Sequence, residues 1–292
     1  MTIESAPRQA SAGGRPGSAA GPTEILSGWD CHAHLFGPYS RYPLATDRSY
    51  TPPEADIGAY LELLVRLGLG HGVLVQPSAY CDDHALLLDT LQTHRALRGV
   101  VVAGQHTRLP LNRLFDKGVR AARFSHRSGA GANFAGSASL ADLVALAPRL
   151  ADAGLHAELW TDCQVLPELE ARLRQCPVAV VIDHMGGFDV RAGVAQPGFQ
   201  RLLALLAEGR VWVKLCAYRQ LLGVDEPELG PAFHKALIAA NPEQLLWGSD
   251  WPHLRVQPPP ATPALLQQFR RWTHDEALAG RILQGNAQRR YG

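Results

Sequence analysis

The 292-residue sequence predicts an α/β fold, a single (β/α)8 TIM barrel spanning residues 25–292. Three observations carry that prediction. Eight short, near-continuous apolar runs alternate with helix-patterned segments, the signature of buried parallel strands joined by crossovers. A count of eight fits closure into a barrel, and the length accommodates the roughly 250 residues such a barrel uses. No G-x-G-x-x-G follows any strand, which argues against an open dinucleotide-binding sheet.

The first strand runs Ile25–His34, and a Pro- and Tyr-rich loop leads to the helical face Ile57, Tyr60, Leu61, Leu64. Gly72–Gln76 is the second strand, followed by a helix over His84–Leu97, and Val100–Gly104 is the third, followed by a short helix over Leu109–Lys117. Val119–Phe124 is the fourth; the helix after it, Leu140–Ala153, ends at Gly154, a residue suited to the left-handed turn that closes helices. Leu155–Trp160, Val178–Ile182, Val211–Leu215 and Leu245–Gly248 supply the remaining strands. Their helices are Val165–Gln175, Phe199–Ala207 and Gly230–Ala239, then Pro263–Trp272 and Asp275–Gln284. Residues 1–24, rich in Ala, Gly, Ser and Pro, read as a disordered tail without the apolar core of a secretion signal.

Composition narrows the function classes. Lys plus Arg (28) nearly equals Asp plus Glu (27), so nothing calls for nucleic acid or an anionic membrane surface. Five scattered cysteines without a CxxC pair point to a reducing cytoplasm and not to a disulfide framework or structural zinc cluster. No apolar run approaches the roughly 18 residues of a membrane helix.

Barrel enzymes carry their chemistry at the C-terminal ends of the strands. The polar residues there are His32 and His34, Gln76 and Ser78, Arg123 with Arg127, His184, Arg219, and Asp250 with His253. On a strand, residues two apart project to the same side, so His32 and His34 form a pair able to hold a metal or to present ring N–H groups. Asp250 at the same mouth can accept a proton from water, preorganised donors can hold the oxyanion formed on attack, and arginine forks suit substrate carboxylates. Each residue also has a plainer reading. Gln76 and Ser78 can satisfy loop backbone, Arg123 can pair with a loop carboxylate, and His156 and Cys216 read as structural. His71, His84, His94, His106, His234 and His274 read as surface residues of helices and loops.

Three motifs, Asp30-Cys31-His32-Ala33-His34-Leu35-Phe36-Gly37-Pro38, Ile182-Asp183-His184-Met185-Gly186 and Trp247-Gly248-Ser249-Asp250-Trp251-Pro252-His253, resemble those of the amidohydrolase-2 family. Within it they are most similar to the 2-pyrone-4,6-dicarboxylate hydrolases and related lactonases. The resemblance implies that Asp250 deprotonates the attacking water and returns the proton to the leaving oxygen. It implies that His32, His34 and His184 polarise the lactone carbonyl. Tyr50, Ser78, Arg123, Arg127 and Arg219 fall where that group binds substrate carboxylates and carbonyls, and His253 joins them as a substrate-binding candidate. The partner implied is a small anionic lactone from the catabolism of aromatics or sugar acids.

Two departures qualify it. Metal-dependent relatives carry a strand-four lysine and a strand-five histidine, whereas Arg123 and Glu158-Leu159-Trp160 stand here. A two-metal site is therefore not expected; no metal is required, although His32, His34 and Asp250 suffice for one zinc ion. The second departure is Gly187, where the pyrone hydrolases continue with an arginine, so one carboxylate-binding arm is missing or relocated. Alternatives are a mononuclear zinc hydrolase or non-oxidative decarboxylase on the same scaffold, and a binding barrel without catalysis.

Overall fold

The computed structural model describes residues 1, 27–129, 134–223 and 227–292. Residues 2–24 of the expected tail, with Ile25 and Leu26, lie outside them. Eight parallel strands form one sheet in sequential order: β1 (Gly28–Ala33), β2 (Leu69–Val75), β3 (Leu97–Val102), β4 (Val119–His126), β5 (His156–Thr161), β6 (Val180–Ile182), β7 (Val211–Leu215) and β8 (Leu245–Trp247). The chain beyond β8 returns to β1, where Asp250 N–H donates to the His32 carbonyl and His34 N–H to the Trp251 carbonyl, both at 2.8 Å. That seam completes the (β/α)8 barrel.

Around the sheet run α1 (Ile57–Leu67), α2 (Ala85–Thr93), α3 (Leu140–Asp152), α4 (Leu166–Gln175), α5 (Pro197–Ala207), α6 (Gly230–Ala240) and α7 (Thr262–Thr273). Capping fixes their ends: the Asp56 carboxylate accepts from the Ala59 N–H at 2.9 Å, and Ser139 and Asp142 form a reciprocal capping box on α3. Leucine-rich helix faces meet the outer side of the strands in the main core. A second core fills the barrel interior with Trp29, Cys31, Val73, Val100, Val181 and Leu246, closed from below by Tyr291 of the C-terminal helix α9 (Ala287–Tyr291), itself preceded by the short α8 (Glu276–Gly280).

Two expectations need correction. The helix predicted over Leu109–Lys117 is only a 3-10 turn, Leu111–Arg113. Pro110 opens a segment that buries just Leu111 and Leu114, too little apolar contact to sustain a longer helix. His84 and His234, read as surface residues, are buried: His84 Nε2 meets the Val102 carbonyl at 2.7 Å and His234 Nε2 the Thr273 hydroxyl at 3.0 Å. Both partners lie on other elements, at 18 and 39 residues' separation, which helical spacing alone does not announce. All five cysteines are free, and no described helix is long and apolar enough to cross a membrane.

Candidate active site

The site begins with an irregularity in β1. The pairing register between β1 and β2 slips between Asp30 and Ala33. Before the slip, Trp29 and Cys31 face the barrel interior while Asp30 faces Tyr60 of α1 and Ser249. Past it, His32 and His34 turn into the mouth with ring centroids 5.0 Å apart. A local bulge of this kind re-aims side chains beside active sites. Gly248 makes the arrangement feasible, because a Cβ there would stand 2.6 Å from the His32 Cβ. The Asp30 carboxylate then ties the two strand ends together, accepting from the Ser249 N–H at 2.8 Å and hydroxyl at 2.6 Å.

Asp250 is the focus of the mouth. One carboxylate oxygen, Oδ2, accepts from the Tyr218 hydroxyl at 2.6 Å and from the Arg219 Nε–H. The other, Oδ1, lies 3.4 Å from His34 Nε2 and 3.7 Å from His32 Nε2. Burial pushes the Asp250 carboxyl up, but Arg219, His184 and the paired histidines outweigh it and hold it well below the usual range. The carboxylate is therefore ionised and available. Both Asp250 (φ 59°) and His184 (φ 49°) occupy the left-handed region, which is strained for a residue with a Cβ and characteristic of functional turns. His184 is buried with its ring 4.9 Å from that of His32, and burial lowers its pKa to about 4, so its ring is neutral at neutral pH.

A cleft lined by both polar and apolar side chains opens above these groups. Of the residues expected at the site, His34, Tyr50, Ser78, Arg123, His184, Arg219 and Asp250 line it, and His32 lies just beneath. Arg127 and His253 do not line it. Arg127 stands against the Trp160 ring, 4.7 Å from its centroid, with Nε 3.9 Å from Asp162. His253, also at positive φ, turns behind Tyr218 and meets the Thr262 hydroxyl at 2.8 Å. Gln76 serves loop backbone, donating to the Cys81 carbonyl at 2.7 Å.

Arg219, while lining the cleft, holds Asp250 through its Nε and donates from Nη1 to the Leu254 carbonyl at 3.2 Å. Gly187 explains a missing arm: it has φ +55°, and a Cβ would stand 2.9 Å from the Thr161 carbonyl oxygen, so no arginine fits there. Arg255 instead reaches the cleft from the loop after β8, its guanidinium 4.7 Å from the Tyr50 ring centroid. Trp160 at the end of β5 walls the cleft beside Arg123.

Beneath His32 lies a charged cluster that the sequence reading passed over. Lys214 of β7 is fully buried; its ammonium lies 2.6 Å from Glu158, 3.2 Å from Asp183 Oδ1 and 3.1 Å from His32 Nδ1. Arg123 Nε donates to the other oxygen of Asp183 at 2.9 Å, and the Tyr291 hydroxyl donates to Glu158 at 2.6 Å. Two cations thus balance two buried carboxylates. The only signal in the sequence was a lone charge inside each of two apolar strands, Val211-Trp212-Val213-Lys214-Leu215 and His156-Ala157-Glu158-Leu159.

His32, His34 and Asp250 also bring ligand atoms close enough together to surround one metal ion. The groups behind them answer differently. His34 Nδ1 lies 2.7 Å from the Val75 carbonyl, which can only accept, so Nδ1 carries a proton and Nε2 is the nitrogen turned toward Asp250 and any metal between them. Behind His32 stands an ammonium, which needs that ring's Nδ1 as acceptor. The spacing suits a metal; the donor chemistry at His32 does not.

The chain is 33% identical to a 4-sulfomuconolactone hydrolase of Rhizobium radiobacter, covering 90% of this chain and 89% of that one. It is 26% identical to a D-galactarolactone isomerase of Agrobacterium fabrum over 93% of each. A solved structure from Pseudomonas putida, assigned as a 2-pyrone-4,6-dicarboxylic acid hydrolase, superposes with a TM-score of 0.77 at 33% identity, covering 91% of this chain and 98% of that one. The amidohydrolase family model matches residues 29–292, and the chain belongs to that family.

Proposed function

We propose that the protein hydrolyses a small lactone bearing at least one acidic substituent, a carboxylate or sulfonate, using water activated by Asp250 and requiring no metal. One observation carries the reading: the Asp250 carboxylate oxygen Oδ1 faces two imidazoles, His32 and His34, at the floor of a cleft lined by His184 and bordered by Arg123, Arg219 and Arg255. Water bound at Asp250 Oδ1 and His34 attacks the lactone carbonyl carbon while Asp250 takes its proton. The carbonyl oxygen becomes an oxyanion, held by His32 and His184 in a site where preorganised donors act strongly. Collapse breaks the ring C–O bond, and the proton on Asp250 passes to the departing oxygen. An ionised Asp250 this acidic is a weak base in the free protein. An anionic substrate raises its proton affinity on binding, as any nearby negative charge does.

The acidic substituent lies against Arg123, Tyr50 and Ser78, with Arg255 replacing the arm that Gly187 removes. The relatives' names support both acid types, a sulfonate in one and carboxylates in another. Free cysteines throughout fit a reducing, cytoplasmic setting. The isomerase relative raises a second reading, in which a substrate hydroxyl replaces water as the attacking group on the same carbonyl.

A pH-indicator screen of chelator-treated protein against paired neutral, carboxylated and sulfonated lactones tests the assignment. Turnover should be confined to anionic members, and Arg255→Met should raise their KM about 10- to 100-fold, the loss of roughly 1.4–2.8 kcal/mol. Equal turnover of neutral and anionic lactones would overturn the substrate class.

A further inference from the structure

The two histidines of the β1 motif look equivalent in sequence, yet their outer nitrogens face opposite chemistry. Behind His34 is a carbonyl oxygen; behind His32 is the Lys214 ammonium. An ammonium has three hydrogens to donate and no lone pair. Three acceptors surround it, Glu158 Oε2, Asp183 Oδ1 and His32 Nδ1, at 2.6, 3.2 and 3.1 Å. All four groups are fully buried, where a mismatched donor or acceptor is costly. Asp183 Oδ1 is also 3.3 Å from His32 Nδ1, but the Lys214 ammonium, 3.1 Å from that nitrogen and 3.2 Å from that oxygen, faces both and can only donate.

From this arrangement we infer that Lys214 is a positioning residue that locks His32 as its Nε2–H tautomer. Its ring then serves as a hydrogen-bond donor toward the reacting oxygen and is unavailable as a metal ligand. A doubly protonated ring would set an N–H against the ammonium 3.1 Å away, so the ring has a single proton to place. With Nδ1 committed to accepting, that proton sits on Nε2. This nitrogen is buried, has no hydrogen-bond partner and points toward Asp250. In contrast, His34 keeps its proton on Nδ1. The pair thus divides the labour: one ring donates, the other accepts. A ligand pair for zinc needs lone pairs on both inward nitrogens, commonly with a carboxylate or carbonyl accepting from each outer N–H.

The tautomer follows from geometry alone, while its part in holding an oxyanion rests on the lactonase reading. The test is chosen to separate them. Long-range proton–nitrogen spectra of histidine-labelled protein, with the His32 signals identified by their loss in His32→Gln, report which nitrogen is protonated. We expect His32 protonated at Nε2 and His34 at Nδ1 in the wild-type protein. Lys214→Met leaves two buried carboxylates with Arg123 as their one cation and threatens folding, so Lys214→Met/Glu158→Gln, which removes one charge of each sign, is the companion variant. In it His32 Nδ1 is free to donate to Asp183, and its tautomer should reverse. Zinc affinity, read by competition with a chromogenic chelator, should rise about 10- to 100-fold, the range by which outer partners tune metal sites. A wild-type His32 protonated at Nδ1, or unchanged zinc affinity in a folded double variant, would overturn the assignment. Neither readout involves a lactone, so this inference and the proposed activity fail independently.

Discussion

Asp250→Asn should lower kcat for an anionic lactone by at least about 10³-fold while leaving KM within a few-fold. The amide keeps the shape and can still accept from Tyr218 and Arg219, but it cannot take a proton from water. A positioned base contributes about 10²–10⁴-fold to proton transfer. The rest of the loss comes from charge. The carboxylate is buried beside Arg219, and removing it leaves an unpaired guanidinium in a low-dielectric site. Some destabilisation accompanies that change, so the comparison is made well below the melting temperature of the variant. An unchanged kcat would remove Asp250 from the chemistry.

The second large effect concerns Arg219. By motif resemblance it binds substrate carboxylate, which predicts a KM effect restricted to anionic substrates. Its contacts add a second part: Nε donates to Asp250 Oδ2 and Nη1 to a backbone carbonyl, while the residue also lines the cleft. Arg219→Met should therefore reduce kcat about 10²- to 10³-fold, because Asp250 loses both orientation and the cation that keeps it ionised. KM should move less than threefold. Breaking a buried ion pair costs about 3–5 kcal/mol in stability, so a lowered melting temperature is expected too. Arg219→Lys should rescue the charge but not the fork that fixes the carboxylate, and recover only part of kcat. A rise in KM with kcat preserved would return Arg219 to substrate binding.

The barrel was readable because parallel strands buried on both faces leave near-continuous apolar runs, and turns leave Gly, Pro and Asn between them. Site candidates could be listed because a barrel gathers its strand ends at one mouth. What the list lacked was direction. His253 follows Asp250 by three residues, yet positive φ at both turns its ring behind Tyr218. Arg255 escaped notice because it lies on a loop beyond the strand end, where periodicity carries no information. Lys214, Glu158 and Asp183 were hidden differently. They sit within or at the ends of apolar strands, far apart in the chain, and only closure of the barrel reveals them as partners. The register slip in β1 was equally silent, since simple alternation puts His32 and His34 on the side of Asp30.

The account turns on solvent water, activated by Asp250, attacking a lactone carbonyl. Turnover of an anionic lactone in ¹⁸O-enriched water tests this most directly. One solvent oxygen should appear in the newly formed carboxylate per turnover, with chelator present throughout, and the signal should vanish in Asp250→Asn. Conversion of the lactone to an isomeric ring without ¹⁸O incorporation, or labelling at full rate in the variant, would contradict it.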